Sequence, residues 1–172
     1  MPEIAPYHRF QPCLLERLRD DEPAKREESS GQRIISYVRY RDGVMRDLRW
    51  LLNANAPISD PEDEADISHF PEARNSVLNL GIRSLSGTTV EGMDMEDLVR
   101  VIEEAIGRFE PRINKRSLRV RFLTEEKEKD VHVVALEISG ELFADPVPQQ
   151  LIFKTKLDLE TGHVVGDRLD GS

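Results

Sequence analysis

The chain has 172 residues, 38% hydrophobic and 33% charged, with a formal net charge of −9 and a mean hydropathy of −0.50. That is the length of one domain with apolar residues enough for a core; no apolar run approaches the ~20 residues of a membrane span, so no direct membrane insertion is expected. The net charge argues against a general nucleic-acid binder, the lone Cys13 excludes an internal disulfide framework, and the absence of a basic-then-apolar start argues for a cytosolic protein.

Residues 1–30 read as an N-terminal arm with a short helix and a linker, and 31–172 as the folded domain. Pro2, Pro6, Tyr7 and His8 show no periodicity, as in an extended arm. Leu14, Leu15 and Leu18 then share one side of a short amphipathic helix, which Pro23 blocks from continuing. So short a helix is marginal alone in water, so Leu14 and Leu18 must dock on the domain or on a neighbouring protein. Residues 24–31 are small and charged, as in a linker.

Ile34, Val38, Met45, Leu48 and Leu52 recur at spacings of four, seven, three and four, which predicts a helix from about Arg33 to Asn53. Arg39, Arg41, Arg46 and Arg49 make its other face basic, with Asp42 and Asp47 as local pairing partners. Gly43 allows close approach of another backbone, and Trp50, beside Leu51 and Leu52, is expected in the core. Asp60, Glu62, Asp63, Glu64 and Asp66 form an acidic loop that resembles disorder. From Glu72 to Ile82 a short helix closed by Gly81 is predicted, with Asn75 and Asn79 satisfying backbone groups.

Gly87 and Gly92 bracket a turn-rich link to a stronger signal. Asp94 is the N-cap of a helix in which Met95, Leu98, Val99, Ile102, Ala105, Ile106 and Phe109 follow the rhythm of a buried face. Pro111 cannot donate a backbone hydrogen bond and biases Glu110 away from helical angles, so the helix ends near Phe109. Glu110 and Arg112 flank this rigid corner. They either pair with each other, cap the helix carbonyls or grip a partner, and the four residues alone do not decide among these.

Beyond the corner the period changes to two. Leu118, Val120 and Phe122 alternate with Arg119, Arg121 and Leu123 in a half-exposed strand. After a charged turn over Glu125–Asp130, Val131–Ile138 reads as a strand covered on both faces or paired on both edges. Leu151, Phe153, Thr155, Leu157 and Leu159 face one side of a third strand, and a turn at Glu160–Gly162 folds Val164 and Val165 back as a last short one. The fold class is α+β, with N-terminal helices on a small mixed or antiparallel sheet of three to four strands. Arg119 and Arg121, or Lys154 and Lys156, guard the edges against indiscriminate pairing while leaving them open to a chosen strand. The acidic loop and a basic stretch with Arg108, Arg112, Lys115, Arg116, Arg119 and Arg121 are either solvated surfaces or docking surfaces for oppositely charged partner proteins.

Chemistry finds little support. His8, His69, His132 and His163 lack metal-ligand spacing, and no phosphate-cradling loop or nucleophile elbow occurs, so no metal or cofactor is expected. A two-carboxylate glycosidase would need Glu110, or Glu103 with Glu104, as a protonated acid. Arg108 and Arg112 beside Glu110 favour its ionised form, the wrong state for that role.

Leu14-Leu15-Glu16-Arg17-Leu18, Arg46-Asp47-Leu48-Arg49-Trp50-Leu51-Leu52-Asn53, Ser76-Val77-Leu78-Asn79-Leu80-Gly81 and Phe109-Glu110-Pro111-Arg112-Ile113, in that order, resemble the TssE family. TssE proteins belong to the baseplate of the bacterial type VI secretion system and are related to the baseplate wedge protein of contractile phage tails. Leu80 stands where family members often carry an aromatic before the glycine. The resemblance implies a structural, non-enzymatic component of a cytoplasmic baseplate at the inner face of the inner membrane. It implies partners in TssF and TssG, with TssK near them, and in the sheath proteins TssB and TssC, whose first ring adds onto its strand edges. It moves Glu110, Pro111 and Arg112 toward an interface; Arg119, Arg121, Leu14, Leu18, Arg46 and Arg49 are the further residues expected to bind a partner. The family's lysozyme-like label leaves a peptidoglycan hydrolase as the alternative, and the wedge component of a phage-type tail is a further one.

Overall fold

The computed structural model describes residues 10, 13–18, 35–57, 70–83, 94–123, 133–144 and 147–165. The acidic loop, the linker, the Gly87–Gly92 link, the Glu125–Asp130 turn, Ile34, His8, His69 and His132 lie outside the described residues.

Among the described residues four α-helices precede a sheet: α1 (Leu14–Leu18), α2 (Tyr37–Asn53), α3 (Pro71–Asn75) and α4 (Met95–Phe109), then β1 (Arg119–Leu123), β2 (Val133–Leu142), β3 (Gln149–Asp158) and β4 (Val164–Val165). The sheet is an antiparallel meander in the order β1-β2-β3-β4. Its registers pair Val120 with Ile138 and Ile138 with Phe153, so one face collects Val120, Leu136, Ile138, Leu151, Phe153 and Leu157. Against that face pack Val44, Leu48, Leu52, Leu98, Ile102 and Ile106, all essentially without solvent contact. Each such side chain stabilises the fold by about 1.5–3 kcal/mol. The expected α+β architecture holds, with every strand pairing antiparallel. β2 is an inner strand, paired on both edges; its second face is half-exposed, where Glu137 meets Lys154 at 3.7 Å.

Local signals account for most element boundaries. The Asp94 carboxylate accepts the backbone N–H groups of Glu96 and Asp97 at 3.0 and 3.2 Å, and α4 runs from there to Phe109 as predicted. In α2 the cap is Ser36, whose hydroxyl accepts the Arg39 N–H, so the helix starts at Tyr37 and not near Arg33. Ile35 forms an antiparallel bridge with Phe10, and the Phe10 ring stacks on Tyr40 with centroids 4.9 Å apart. Pairing with Phe10 holds Ile35 extended, which keeps the helix from beginning earlier.

The buried face of α2 is Tyr40, Gly43, Val44, Met45, Leu48, Leu51 and Leu52. Two expectations need correction. Val38, beyond Met45 at the margin of that arc and in the first turn, is 52% exposed, and Trp50, just past the other margin, is 56% exposed. At 100° per residue Trp50 falls outside the buried arc that Leu51 and Leu52 enter, so its ring stays at the surface.

The segment 70–82 also departs from expectation. In place of one helix closed by Gly81 there are α3 and a 3-10 turn, Val77–Asn79, separated by Ser76 in an extended conformation. The Ser76 hydroxyl accepts the Leu78 N–H, and Asn79 donates its side-chain amide to Arg74 O at 3.3 Å. Gly81 instead lets two chain segments meet: its φ is +128°, and a Cβ there would lie 2.2 Å from Ala54 O. Beside it Ile82 and Ala54–Ala56 exchange backbone bonds of 2.9 and 3.1 Å, tying the end of α2 to this segment.

Candidate partner-binding site

Pro111 turns the chain out of α4 toward the sheet. Glu110 N–H still donates to Ile106 O at 2.8 Å, closing the helix, and the Ile113 N–H then donates to Glu110 O at 3.2 Å. Beyond the turn, Phe143 N–H donates to Arg112 O and Asn114 N–H to Glu141 O, each at 2.8 Å, while Ile113 bridges Leu142. The corner is thus stitched to the end of β2, and Glu110 is carried inside, with 4% of it exposed.

A buried carboxylate requires partners. Glu110 takes them from Arg112, whose backbone N–H and Nε donate to Oε1 at 3.1 and 2.7 Å and whose Nη2 donates to Oε2. The same Nη2 donates to Asp47 Oδ2 of α2 at 2.6 Å. Burial works against the Arg112 charge, but the hydrogen bonds and charges of Glu110 and then Asp47 outweigh it and hold the guanidinium even further above the usual range. Tyr40, whose hydroxyl donates to Phe143 O at 3.2 Å, is pushed up chiefly by burial; Arg112 opposes that shift and Glu110 adds to it.

The ion pairs continue past Asp47. Its Oδ1 accepts from Arg46 Nε at 2.9 Å, and Arg46 Nη1 lies 3.5 Å from Glu16 Oε1 of α1. Glu16 accepts the Cys13 N–H at 3.1 Å and sits where a Cβ on Gly43 would stand 2.8 Å from its oxygen, so the missing side chain of Gly43 makes the seat for α1. Five charges of alternating sign, Glu110, Arg112, Asp47, Arg46 and Glu16, therefore link the corner to the N-terminal helix. Opposite charges in series hold one another in register, and the half-buried middle of the ladder is less screened than a surface pair.

Docked through Glu16, α1 turns its leucines away from the domain: Leu14 is 70%, Leu15 53% and Leu18 74% exposed. The Arg46 guanidinium lies 5.2 Å from the centre of the exposed Trp50 ring. Arg46 thus contacts both Glu16 of α1 and Trp50, and Leu14, Leu18 and Trp50 are all exposed.

The model of the baseplate wedge protein gp25 family matches residues 38–147, from the first turn of α2 to just before β3. The chain belongs to that family. Its members are structural components of baseplates, and the matched region holds Asp47, the corner and both strands beside it. No curated protein and no solved structure gives a significant match.

Of the residues nominated from sequence, the fold brings together Leu14, Leu18, Arg46, Glu110 and Arg112 through the ion ladder, with Pro111 exposed at the turn. Arg49 lies apart, its guanidinium 5.6 Å from the Phe153 ring centre and its Nε buried without a hydrogen-bond partner. Arg119 and Arg121 stand on the exposed side of β1, away from the ladder. Missed by the sequence reading were the exposed Trp50, whose sign was the W-L-L run, and the long reach of Asp47 to Arg112. The carboxylates nominated for catalysis are separately engaged: Glu110 by Arg112, Glu104 by Arg100 at 4.0 Å, and Glu103 by the Val120 N–H at 3.0 Å. Among the described residues no three His, Cys, Asp or Glu converge as metal ligands, and no helix is long and apolar enough to cross a membrane.

Proposed function

We propose that this chain is the TssE component of a type VI secretion baseplate, a non-enzymatic part that joins TssF and TssG and starts the contractile sheath. The observation that carries the reading is the inverted docking of α1, with Glu16 held by Arg46 and Leu14, Leu15 and Leu18 turned to solvent. A helix anchored by its polar side and offering its apolar side is built to be covered by another protein. With Trp50 it supplies the aliphatic and aromatic anchors from which interface hot spots are made. The ion ladder keeps α1 and the corner in one arrangement, so Glu110 and Arg112 serve the interface by holding its shape, and Pro111 and Trp50 meet the partner.

Strand-edge pairing supplies the second half of the function. β1 has one neighbour in the sheet and carries Arg119 and Arg121 outward, a charged edge on which TssB and TssC strands begin the sheath. The protein works in the cytoplasm, held at the inner membrane by the baseplate and TssK. The engaged state of Glu103, Glu104 and Glu110 supports an assembly role over glycoside hydrolysis.

The test is co-purification with TssF and TssG from the same operon, comparing the natural chain with Leu14→Ser/Leu18→Ser. A complex that forms with the natural chain and is lost in the variant, with its thermal unfolding unchanged, is the expected result. No complex with the natural chain overturns the reading.

A further inference from the structure

Beside β1 the surface opens into a cleft of about 680 Å³ between that strand and α4, lined among others by Arg100, Glu103, Arg108, Lys115 and Arg119. Its polar groups are unevenly satisfied. Arg100 pairs with Asp97 and Glu104. Arg119 donates only to the backbone carbonyls of Arg116 and Leu118, at 3.1 and 2.6 Å, and Arg108 to Arg74 O at 3.4 Å. Neither they nor Lys115 has a carboxylate within ion-pair distance among the described residues. Among the described residues, three cations in one cleft therefore lack a counter-charge, in a protein whose formal net charge is −9.

Glu103 spends its carboxylate differently. Its Oε1 accepts the N–H of Val120, and that bond reveals which way the strand faces. Along an antiparallel strand alternate residues turn N–H and C=O to the same side. Val120 and Phe122 thus address the open edge, while Arg119, Arg121 and Leu123 address β2. A side chain from α4 occupies the first donor of the only edge β1 leaves free. This is how a sheet edge is protected from unwanted pairing, and the protection is one side-chain rotation from release.

We infer that this cleft receives an extended acidic polypeptide segment as a strand added to β1, its carboxylates meeting Arg108, Lys115 and Arg119 and its carbonyl displacing Glu103 from the Val120 N–H. The inference rests on the strand-edge reading above and names the edge, the charge of the incoming strand and the residue that gates it. The other edge of the sheet is narrower, since β4 pairs with Lys156 and Leu157 and the Tyr37 hydroxyl donates to Gln150 O at 2.8 Å. Displacement costs little beyond an exchange of acceptors, because the N–H keeps a partner and the released Glu103 carboxylate returns to water or to a cation of the cleft. Every residue in the inference except Glu103 presents either an unpaired positive charge or an edge-facing backbone group, which fits an anionic strand and disfavours a cationic one.

The probe is a fluorescein-labelled strand peptide alternating valine or threonine with glutamate, beside the same peptide carrying lysine, titrated against the full chain by fluorescence anisotropy. The glutamate peptide is expected to bind about tenfold or more tightly than the lysine peptide, and to weaken with added salt. Glu103→Ala is expected to tighten it several-fold, Glu103→Gln, which keeps an acceptor but drops the charge, to fall between, and Lys115→Glu/Arg119→Glu to abolish it. Amide exchange in the complex should slow at Val120 and Phe122. Equal binding of the two peptides, no binding by the natural chain or Glu103→Gln, or equal competition by an oligothymidylate overturns the inference. Protection at Ile152 and Lys154 in place of Val120 and Phe122 overturns it too, yet leaves strand-edge assembly standing. Failure of the natural chain to join TssF and TssG defeats the broader reading regardless of what the peptide does.

Discussion

The corner after α4 and the helix α1 use their residues in opposite senses. At the corner a carboxylate is 4% exposed and tied to Arg112, while in α1 the leucines are out and Glu16 is in. Burial follows from what a residue finds to bond with, not from polarity alone. Glu110 finds a guanidinium and a backbone N–H at fixed distance and can be enclosed; Leu14 and Leu18 find no apolar cover among the described residues and stay exposed. The corner is enclosed by its own chain and the α1 leucines are not, a difference that mutation can test.

The largest effect is expected from Arg112→Ala, which strands a buried carboxylate and should cost about 3–5 kcal/mol in urea unfolding. A loss under ~1 kcal/mol would undo the contrast by showing that the corner is not a stability element. Asp47→Asn removes one ionic acceptor of Arg112 and leaves Glu110, so a loss of about 1.5 kcal/mol is expected from the same measurement. At the other end of α4, Asp97 is held below the usual carboxylate range, first by its hydrogen bond from Arg100 and further by Arg83, with burial opposing. A depressed carboxyl stabilises the fold fully above its unfolded pKa and loses that contribution as pH falls through the folded value. Asp97→Asn should therefore lower stability at neutral pH, lose less than the natural chain as pH falls through and below the ordinary carboxylate range, and meet the natural chain's curve in strong acid. Smallest of all, Leu14→Ser/Leu18→Ser should leave thermal stability within ~0.5 kcal/mol of the natural chain. A larger loss would mean that the leucines already serve this fold, and the contrast with the corner would vanish.

Much of this fold was legible because its signals are local. Asp94 with Glu96 and Asp97 marks the start of α4, Pro111 marks its end, and the alternation Leu151, Phe153, Thr155, Leu157 needs only the pleat of a strand to become a buried row. The site was legible in part: the motif residues of the N-terminal helix, α2 and the corner do come together, but as one ladder whose middle rung, Asp47 to Arg112, spans 65 positions of sequence.

Both ends of α4, the end of α2, the strand faces and the turn over Glu160–Gly162 could be read from the residues alone, since each depends on neighbours within a turn or a strand. Folding decided that Val38 and Trp50 stay outside while Tyr40 goes in, that Gly81 serves a crossing with Ala54 in place of a helix end, and that the Glu110 charge is enclosed while the α1 leucines are not. Each of those outcomes depends on a group brought near only in three dimensions, and helical or pleated periodicity carries no record of such a partner.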